Sequence, residues 1–229
     1  MSAAPLRIAS SRGVPGTAGA IVVGADGSRC VLTNYHVILG GGAVVGDHVW
    51  AIPPGFGNAA AHEPVCLGRA HAGRIGRVNL GDETYFVDCA VVVIVDETSF
   101  PTWLRAALAD DTWPSETAAA EPGMRVFKCG ATTGFTEGIV VDVAYPDHPF
   151  IEGRSWRAPK QLLVDSRDSE LNFSVQGDSG AALLDDAGRI IGLLWGSTAN
   201  GQGIASPIEP VLDCLGVRLV ASTQTMRFT

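Results

Sequence analysis

Gln176-Gly177-Asp178-Ser179-Gly180-Ala181 is the stretch around which the chain is organised. A serine between small residues, with glycine two positions before it, is what a tight oxyanion-binding turn needs. Gly177 can take backbone angles closed to other residues and bring its N–H close to a carbonyl oxygen. Ser179 offers its hydroxyl as a nucleophile, and its own N–H completes a donor pair. The same Gly-Asp-Ser-Gly also makes an ordinary turn between strands, so the hexapeptide alone leaves both readings open. The residues immediately downstream set the fold class: Ala181–Leu184 and Arg189–Trp195 are β-like runs joined by Asp185-Asp186-Ala187-Gly188, a good hairpin turn.

The pattern extends in both directions. Strands are expected at Arg125–Cys129, Gly138–Ala144, Gln161–Asp165 and Gly203–Ser206, with an irregular proline-rich stretch from Tyr145 to Lys160. Pro207–Leu215 reads as a short helix, with prolines in its first turn and Gly216 at the C-terminal cap position. Upstream, Ala18–Val23 and Arg29–Asn34 flank a turn cluster and form a hairpin that runs out through Thr33-Asn34-Tyr35-His36-Val37. Gly40-Gly41-Gly42 breaks the chain, and Val44–Ile52 is a further strand. Pro53–Gly81 reads as loop-rich with weak strands near Val65 and Ile75, whereas Tyr85–Val95 is the strongest β segment of the first half. Residues 1–17 read as surface cover, Pro101–Ala109 as a short helix, and 110–123 has the composition of a linker. The expected division is 1–100, a linker over 101–122 with a short helix, and 123–229. Many short strands, few helices and no βαβ alternation predict an all-β protein of antiparallel barrels or a sandwich.

Composition removes several function classes. The chain has 229 residues, 46% hydrophobic, with 28 glycines and 13 prolines, a globular mixture rich in turns. A formal net charge of -8 and the absence of any long basic run argue against a grip on nucleic acid or an anionic membrane. The longest apolar run, Ala90–Val95, is far short of the roughly 20 residues a bilayer needs. Residues 1–20 carry no apolar core of secretory length, which predicts a cytoplasmic protein. Five scattered cysteines without a C-x-x-C read as reduced thiols, and no metal or organic cofactor site is visible.

A serine hydroxyl is a weak nucleophile until a base takes its proton, and that base is usually a histidine held by a carboxylate. Of five histidines, His36 stands at a strand end where side chains are presented at a rim; His48, His62, His71 and His148 lie in loop-like or charged settings and read as solvated. Asp88 sits among Phe86, Val87, Ala90 and Val91, where an unpaired carboxylate is costly, so something must accept it. Taken singly, His36 could be a hydrogen-bonded buried histidine and Asp88 an arginine's partner.

Together, Thr33-Asn34-Tyr35-His36-Val37, Asp88-Cys89-Ala90-Val91 and Gly177-Asp178-Ser179-Gly180 resemble the three signature blocks of the trypsin/chymotrypsin-like serine proteases, in that family's order of His, Asp and Ser. Gly19-Ala20-Ile21-Val22, Gly130 to Gly138 and Ser206-Pro207-Ile208-Glu209-Pro210-Val211-Leu212 are similar to the intracellular trypsin-like peptidases of bacteria and their plant relatives of the narrow-leaf type. The blocks span about residues 18–217. The resemblance implies two packed six-stranded β-barrels with a crevice between them and a short C-terminal helix. It implies Ser179 as nucleophile, His36 as general base and acid, Asp88 as orienting carboxylate, and the N–H groups of Gly177 and Ser179 as oxyanion hole, acting on a protein or peptide substrate. It also implies a substrate pocket with Phe173 at its base and Leu194, Trp195, Gly196 and Gly203 as walls. With no acidic residue at Phe173, a small or apolar side chain before the scissile bond is expected. The bland alternative is that Phe173 and Leu194 are core residues and the pocket is closed.

The departures matter equally. Secreted members pair the aspartate before the serine with a new N-terminus made by cleavage. Ile21-Val22-Val23-Gly24 looks faintly like that terminus but lies close before His36 and has no basic residue ahead of it. Asp178 is therefore expected either to find another partner or to rest in a loop not yet arranged, which leaves room for an activating protein partner. A latent binding or scaffold module is the competing reading, and it predicts a flipped Gln176–Gly177 peptide. An α/β-hydrolase fits poorly, since that fold wants the nucleophile before a helix and the histidine last.

Overall fold

The apolar run containing Asp88 is the middle strand of the larger sheet. In the computed structural model, which describes residues 5–54, 63–109 and 112–221, the first half carries β1 (Arg7–Ser10), β2 (Gly16–Thr17), β3 (Ala20–Gly24), β4 (Arg29–Thr33), α1 (Tyr35–Ile38), β5 (His48–Ile52), β6 (Val65–Leu80), β7 (Glu83–Ile94) and α2 (Thr102–Ala107). The second carries β8 (Arg125–Gly130), β9 (Gly134–Asp147), β10 (Phe150–Ile151), β11 (Arg154–Ser155), β12 (Ala158–Ser166), β13 (Ala182–Leu184), β14 (Ile190–Ser197), β15 (Gly203–Pro207), α3 (Ile208–Leu215) and β16 (Val217–Leu219). Strands β12-β15-β14-β13-β8-β9 close into a barrel. The other sheet has eight strands in the order β16-β3-β4-β7-β6-β5-β1-β2. The protein is all-β, with the short C-terminal helix expected. Where six barrel strands were expected in the first half, the ladder also takes in β16 from the chain's far end.

Strand periodicity explains how β7 is covered on both faces. Successive side chains of a strand point to opposite sides. Ala90 and Val92 face the core formed with Ile21, Val31, Val37 and Leu67, while Val87, Cys89 and Val91 face α3 through Ile208, Val211 and Leu212. Asp88 therefore shares the face of Phe86 and Ala90, away from α3. Phe86 is fully buried and joins the two units: its ring meets Trp195 edge-on at 5.5 Å and Trp156 at 5.9 Å. Its carbonyl accepts hydrogen bonds from Gln161 Nε2 (3.0 Å) and Ser206 Oγ (3.1 Å), and Gln161 Oε1 in turn accepts from Trp195 Nε1 at 2.7 Å.

Three expectations are corrected. Val65–Leu80 is one continuous strand paired with β7 from Gly68↔Ile94 to Leu80↔Glu83, not a loop with weak strands. Its glycines lower β-propensity, but at Gly68 a Cβ would lie 2.0 Å from the Val93 carbonyl oxygen, so close approach of the two strands requires the missing side chain. Within 1–17, β1 and β2 are sheet strands, and Ile8 is fully buried. The irregular 145–160 stretch holds the β10–β11 hairpin. Of the surface histidines, His48, His71 and His148 are exposed, and His62 lies outside the described residues. Replacing Phe86 with Ala is expected to cost about 3–5 kcal/mol, because it opens a cavity at the junction of the two units; a lower urea midpoint with unchanged strand content by circular dichroism checks it.

Candidate active site

β4 ends at Thr33, and the chain turns at once into the single-turn helix α1, so His36 stands on a helical turn rather than on the extended strand end that the sequence suggested. Asp88 comes from the middle of β7 and has no exposed surface. His36 Nδ1 lies 2.6 Å from Asp88 Oδ2, and the His36 backbone N–H donates to Asp88 Oδ1 at 3.2 Å. Asn34 Nδ2 donates to the Asp88 carbonyl oxygen at 2.6 Å, which ties the start of α1 to the same residue. The carboxylate that looked expensive in sequence is thus paired by both ends of one histidine.

Burial disfavours the His36 imidazolium, but the Asp88 charge, the hydrogen bond to it and the Glu152 charge outweigh burial and raise the pKa above its ordinary 6.5. Glu152 stands at the tip of the β10–β11 hairpin with a positive φ of 53°. Its Oε2 accepts from the Gly41 N–H at 2.9 Å, so the hairpin rests on the loop that comes after His36.

Ser179 lies on the turn before β13, half-buried. Its hydroxyl donates to the Trp195 carbonyl oxygen at 3.4 Å; among the described residues no hydrogen bond joins it to His36. The loops of the two residues approach one another across Gly16. A Cβ placed on Gly16 would meet Val37 Cγ2 at 2.5 Å and the Ser179 carbonyl oxygen at 2.8 Å, so Gly16 is wedged between the residue after His36 and the serine. Gly177 has a φ of +100°, the left-handed region open to glycine. The Gln176 carbonyl accepts from Thr132 Oγ1 at 2.9 Å. A trans peptide carries its C=O and N–H on opposite sides, so the Gly177 N–H points away from Thr132. Among the described residues neither the Gly177 nor the Ser179 N–H is used in an internal hydrogen bond.

Asp178 is buried and has a partner: Lys128 Nζ at 3.2 Å, both side chains without exposed surface. Its carboxylate also accepts from the N–H groups of Thr132 and Thr133 (both 3.0 Å) and Val175 (3.1 Å), and from Thr133 Oγ1 at 2.8 Å. Burial opposes ionisation, but the Lys128 charge and these donors overcome it and hold the carboxyl below its ordinary value. The sequence leaves Asp178's partner open; Lys128 fills that place from β8. A signal was present, since Lys128 interrupts a β run between Phe127 and Cys129 as Asp88 interrupts β7. Thr17, whose hydroxyl donates to the Gly177 carbonyl at 2.9 Å, carried no such signal.

Phe173 and Leu194 are fully buried in the barrel core with Val126 and Leu183. A Cβ at Gly203 would meet Phe173 Cδ1 at 2.6 Å and Leu194 Cδ1 at 3.1 Å, so those side chains fill the space beneath Gly203. Around Gly196, by contrast, the corresponding position has no atom within 4 Å beyond the residue's own neighbours. Trp195 is packed against Phe86. Among the described residues no group of three or more His, Cys, Asp or Glu could hold a metal ion, and no helix is long and apolar enough to cross a membrane.

A family model described as the trypsin-like peptidase domain matches residues 16–193, with all three of His36, Asp88 and Ser179 inside the match. The chain belongs to the trypsin-like peptidases. As a member it is a serine protease, a hydrolase of peptide bonds. No curated protein sequence matches it. Among solved structures, protease A of Thermobifida fusca is 16% identical and superposes with a TM-score of 0.62, covering 97% of this chain and 98% of the other. A glutamic-acid-specific serine protease that uses a histidine triad in substrate binding is 20% identical, with a TM-score of 0.61 over 93% and 97% of the two chains. The Nocardiopsis protease is 16% identical, with a TM-score of 0.60 over 95% and 98%. These likenesses carry the fold.

In this peptidase Lys128→Met leaves Asp178 as a buried, uncompensated charge, and a loss of about 3–5 kcal/mol is expected at neutral pH. Asp178's folded pKa lies below its ordinary 3.8, so the wild-type pair stabilises fully above that value and loses its contribution as pH falls through the folded pKa. The stability gap between wild type and variant should therefore narrow in acid, as paired urea titrations at pH 7 and pH 3 would read.

Proposed function

We propose that this peptidase is a cytoplasmic serine endopeptidase in which Ser179 attacks the scissile carbonyl and forms an acyl-enzyme. His36 takes the serine proton and passes it to the leaving amine, Asp88 holds the imidazole and stabilises its cation, and the N–H groups of Gly177 and Ser179 receive the oxyanion. The observation that carries this reading is the 2.6 Å contact between His36 Nδ1 and the buried Asp88, with only Gly16 between Val37 of α1 and the Ser179 carbonyl. That contact favours the tautomer in which Nδ1–H donates to the Asp88 carboxylate and Nε2 is the basic nitrogen. The serine hydroxyl rests on the Trp195 carbonyl and must leave it to give its proton to Nε2.

The substrate is a protein or peptide. With Phe173 filling the space below Gly203 and open space at Gly196, a small side chain before the scissile bond is favoured. Lys128 stands in for a cleaved N-terminus as counter-ion to Asp178, which supports a serine loop ordered without maturation. The competing reading, a catalytically latent binding or scaffold module, draws on one observation, the Ser179 hydroxyl resting on Trp195. The flipped peptide expected of it is not favoured, because the Gln176 carbonyl is held by Thr132.

Labelling with a fluorophosphonate probe tests the proposal. Wild type should label, and Ser179→Ala and His36→Ala should not; their kcat/KM on a small-residue peptide should fall by at least about 10³-fold. Folded wild type that never labels between about pH 6 and 9 would move the reading to the latent module. The pH profile gives a second check, because the base acts only when neutral. The acid limb of kcat/KM is expected above pH 6.5, and Glu152→Gln should move it lower by removing one of the charges that raise His36.

A further inference from the structure

Cys89 and Cys214 are far apart in sequence, yet their Sγ atoms lie 3.5 Å apart. Cys89 is on the face of β7 opposite Asp88, fully buried under α3, whereas Cys214 stands in the last turn of α3 and is partly exposed. A disulfide needs an S–S distance of about 2.0 Å, and these two sulfur atoms are already in contact. We propose that Cys89 and Cys214 are an oxidisable dithiol, a modification site at which a hydroperoxide converts the pair to a disulfide that fastens α3 to β7.

The surroundings assign the two roles. Cys214 is the attacking thiol. The hydrogen bond it receives from Cys89 and the nearby Arg74 charge favour its thiolate, against burial and the adjacent Asp213. Cys89 is the resolving thiol. Burial, Cys214 and the neighbouring Asp88 charge keep it protonated, so it serves as the donor. In the first step Cys214 Sγ attacks one peroxide oxygen; an S–O bond forms, the O–O bond breaks, and hydroxide leaves as Cys214 becomes a sulfenic acid. In the second, Cys89 Sγ attacks Cys214 Sγ; the S–S bond forms, the S–O bond breaks, and the Cys89 proton leaves with that oxygen. Two thiols lose two electrons and one hydrogen peroxide becomes two waters. The sulfenic intermediate is short-lived because the resolving sulfur is already in contact with it.

Full-length folded protein treated with equimolar hydrogen peroxide, alkylated with N-ethylmaleimide and mapped by mass spectrometry without reduction gives the decisive result. A cross-linked Cys89–Cys214 peptide pair, lighter by two hydrogens and split by dithiothreitol, is expected, with Cys30, Cys66 and Cys129 recovered alkylated. The bridge closes a loop of more than a hundred residues and constrains the unfolded chain, so the oxidised protein should unfold at a higher urea midpoint than the reduced one. In Cys89→Ala, dimedone should capture Cys214 as the sulfenic acid. Wild-type Cys214 advancing to sulfinic acid without a bridge, bridging of a different pair, or recovery of both thiols alkylated would each overturn the proposal. The wild-type map decides the matter even if a variant fails to fold, and none of these readouts depends on peptidase activity.

Discussion

The serine loop is positioned by the main chain and hydroxyl of Thr17, a residue with no exposed surface. Its N–H donates to the Ser179 carbonyl at 2.7 Å, and its hydroxyl donates to the Gly177 carbonyl and accepts from the Ala131 N–H, both at 2.9 Å. Its own carbonyl accepts from Thr33 Oγ1 at 2.8 Å, three residues before His36. One buried residue thus joins the serine turn, the loop that cradles Asp178 and the strand that delivers His36. Each bond is worth about 1 kcal/mol net, but an unmade partner in this dry setting costs more than a made one gains. Geometry between the two halves is fixed by that asymmetry rather than by any one strong contact.

Buried charge is handled in two different ways around this point. Asp88 is met by a histidine that remains partly exposed and can change protonation, so its pair can respond to a bound substrate. Asp178 is met by Lys128, both side chains withdrawn from water, and by backbone donors, so its pair is structural. Both pairs are set among apolar neighbours, where desolvation penalises any departure from full pairing. The contrast between a half-open and a closed ion pair separates the responsive part of the site from its scaffold.

Most of the strand pattern was legible because β-branched runs, hairpin turns and a capping glycine are local signals. Tyr85–Val95, the 181–195 hairpin and α3 are of that kind. His36, Asp88 and Ser179 stood out as candidates only through the ordered resemblance of their three blocks, since each taken singly had an ordinary reading. What escaped was non-local. β6 is glycine-rich and reads as loop until β7 is laid beside it. Residues 1–17 look like surface until β1 is seen between β5 and β2. For Phe173 and Leu194 the sequence left pocket and core readings both open, and only the packing shows them in the barrel core beneath Gly203. Lys128 is open to the same reasoning as Asp88, but a lone lysine in a strand is usually solvated, so its signal is weak until Asp178 is placed beside it.

The contacts that bring the serine turn to the His36 loop are made largely by main-chain atoms and by side chains that are missing. A Cβ at Gly180 would fall 2.1 Å from the Thr17 carbonyl oxygen, and one at Gly19 would fall 2.3 Å from the Gly180 carbonyl oxygen. Contacts of this type constrain a handful of positions to glycine and place no demand on the side chains around them. Substitution can then rewrite most of the surface and much of each half while the junction survives. Two chains can agree at about a sixth of their residues and still superpose along nearly their whole length, because what the fold demands here is a backbone crossing rather than a sequence.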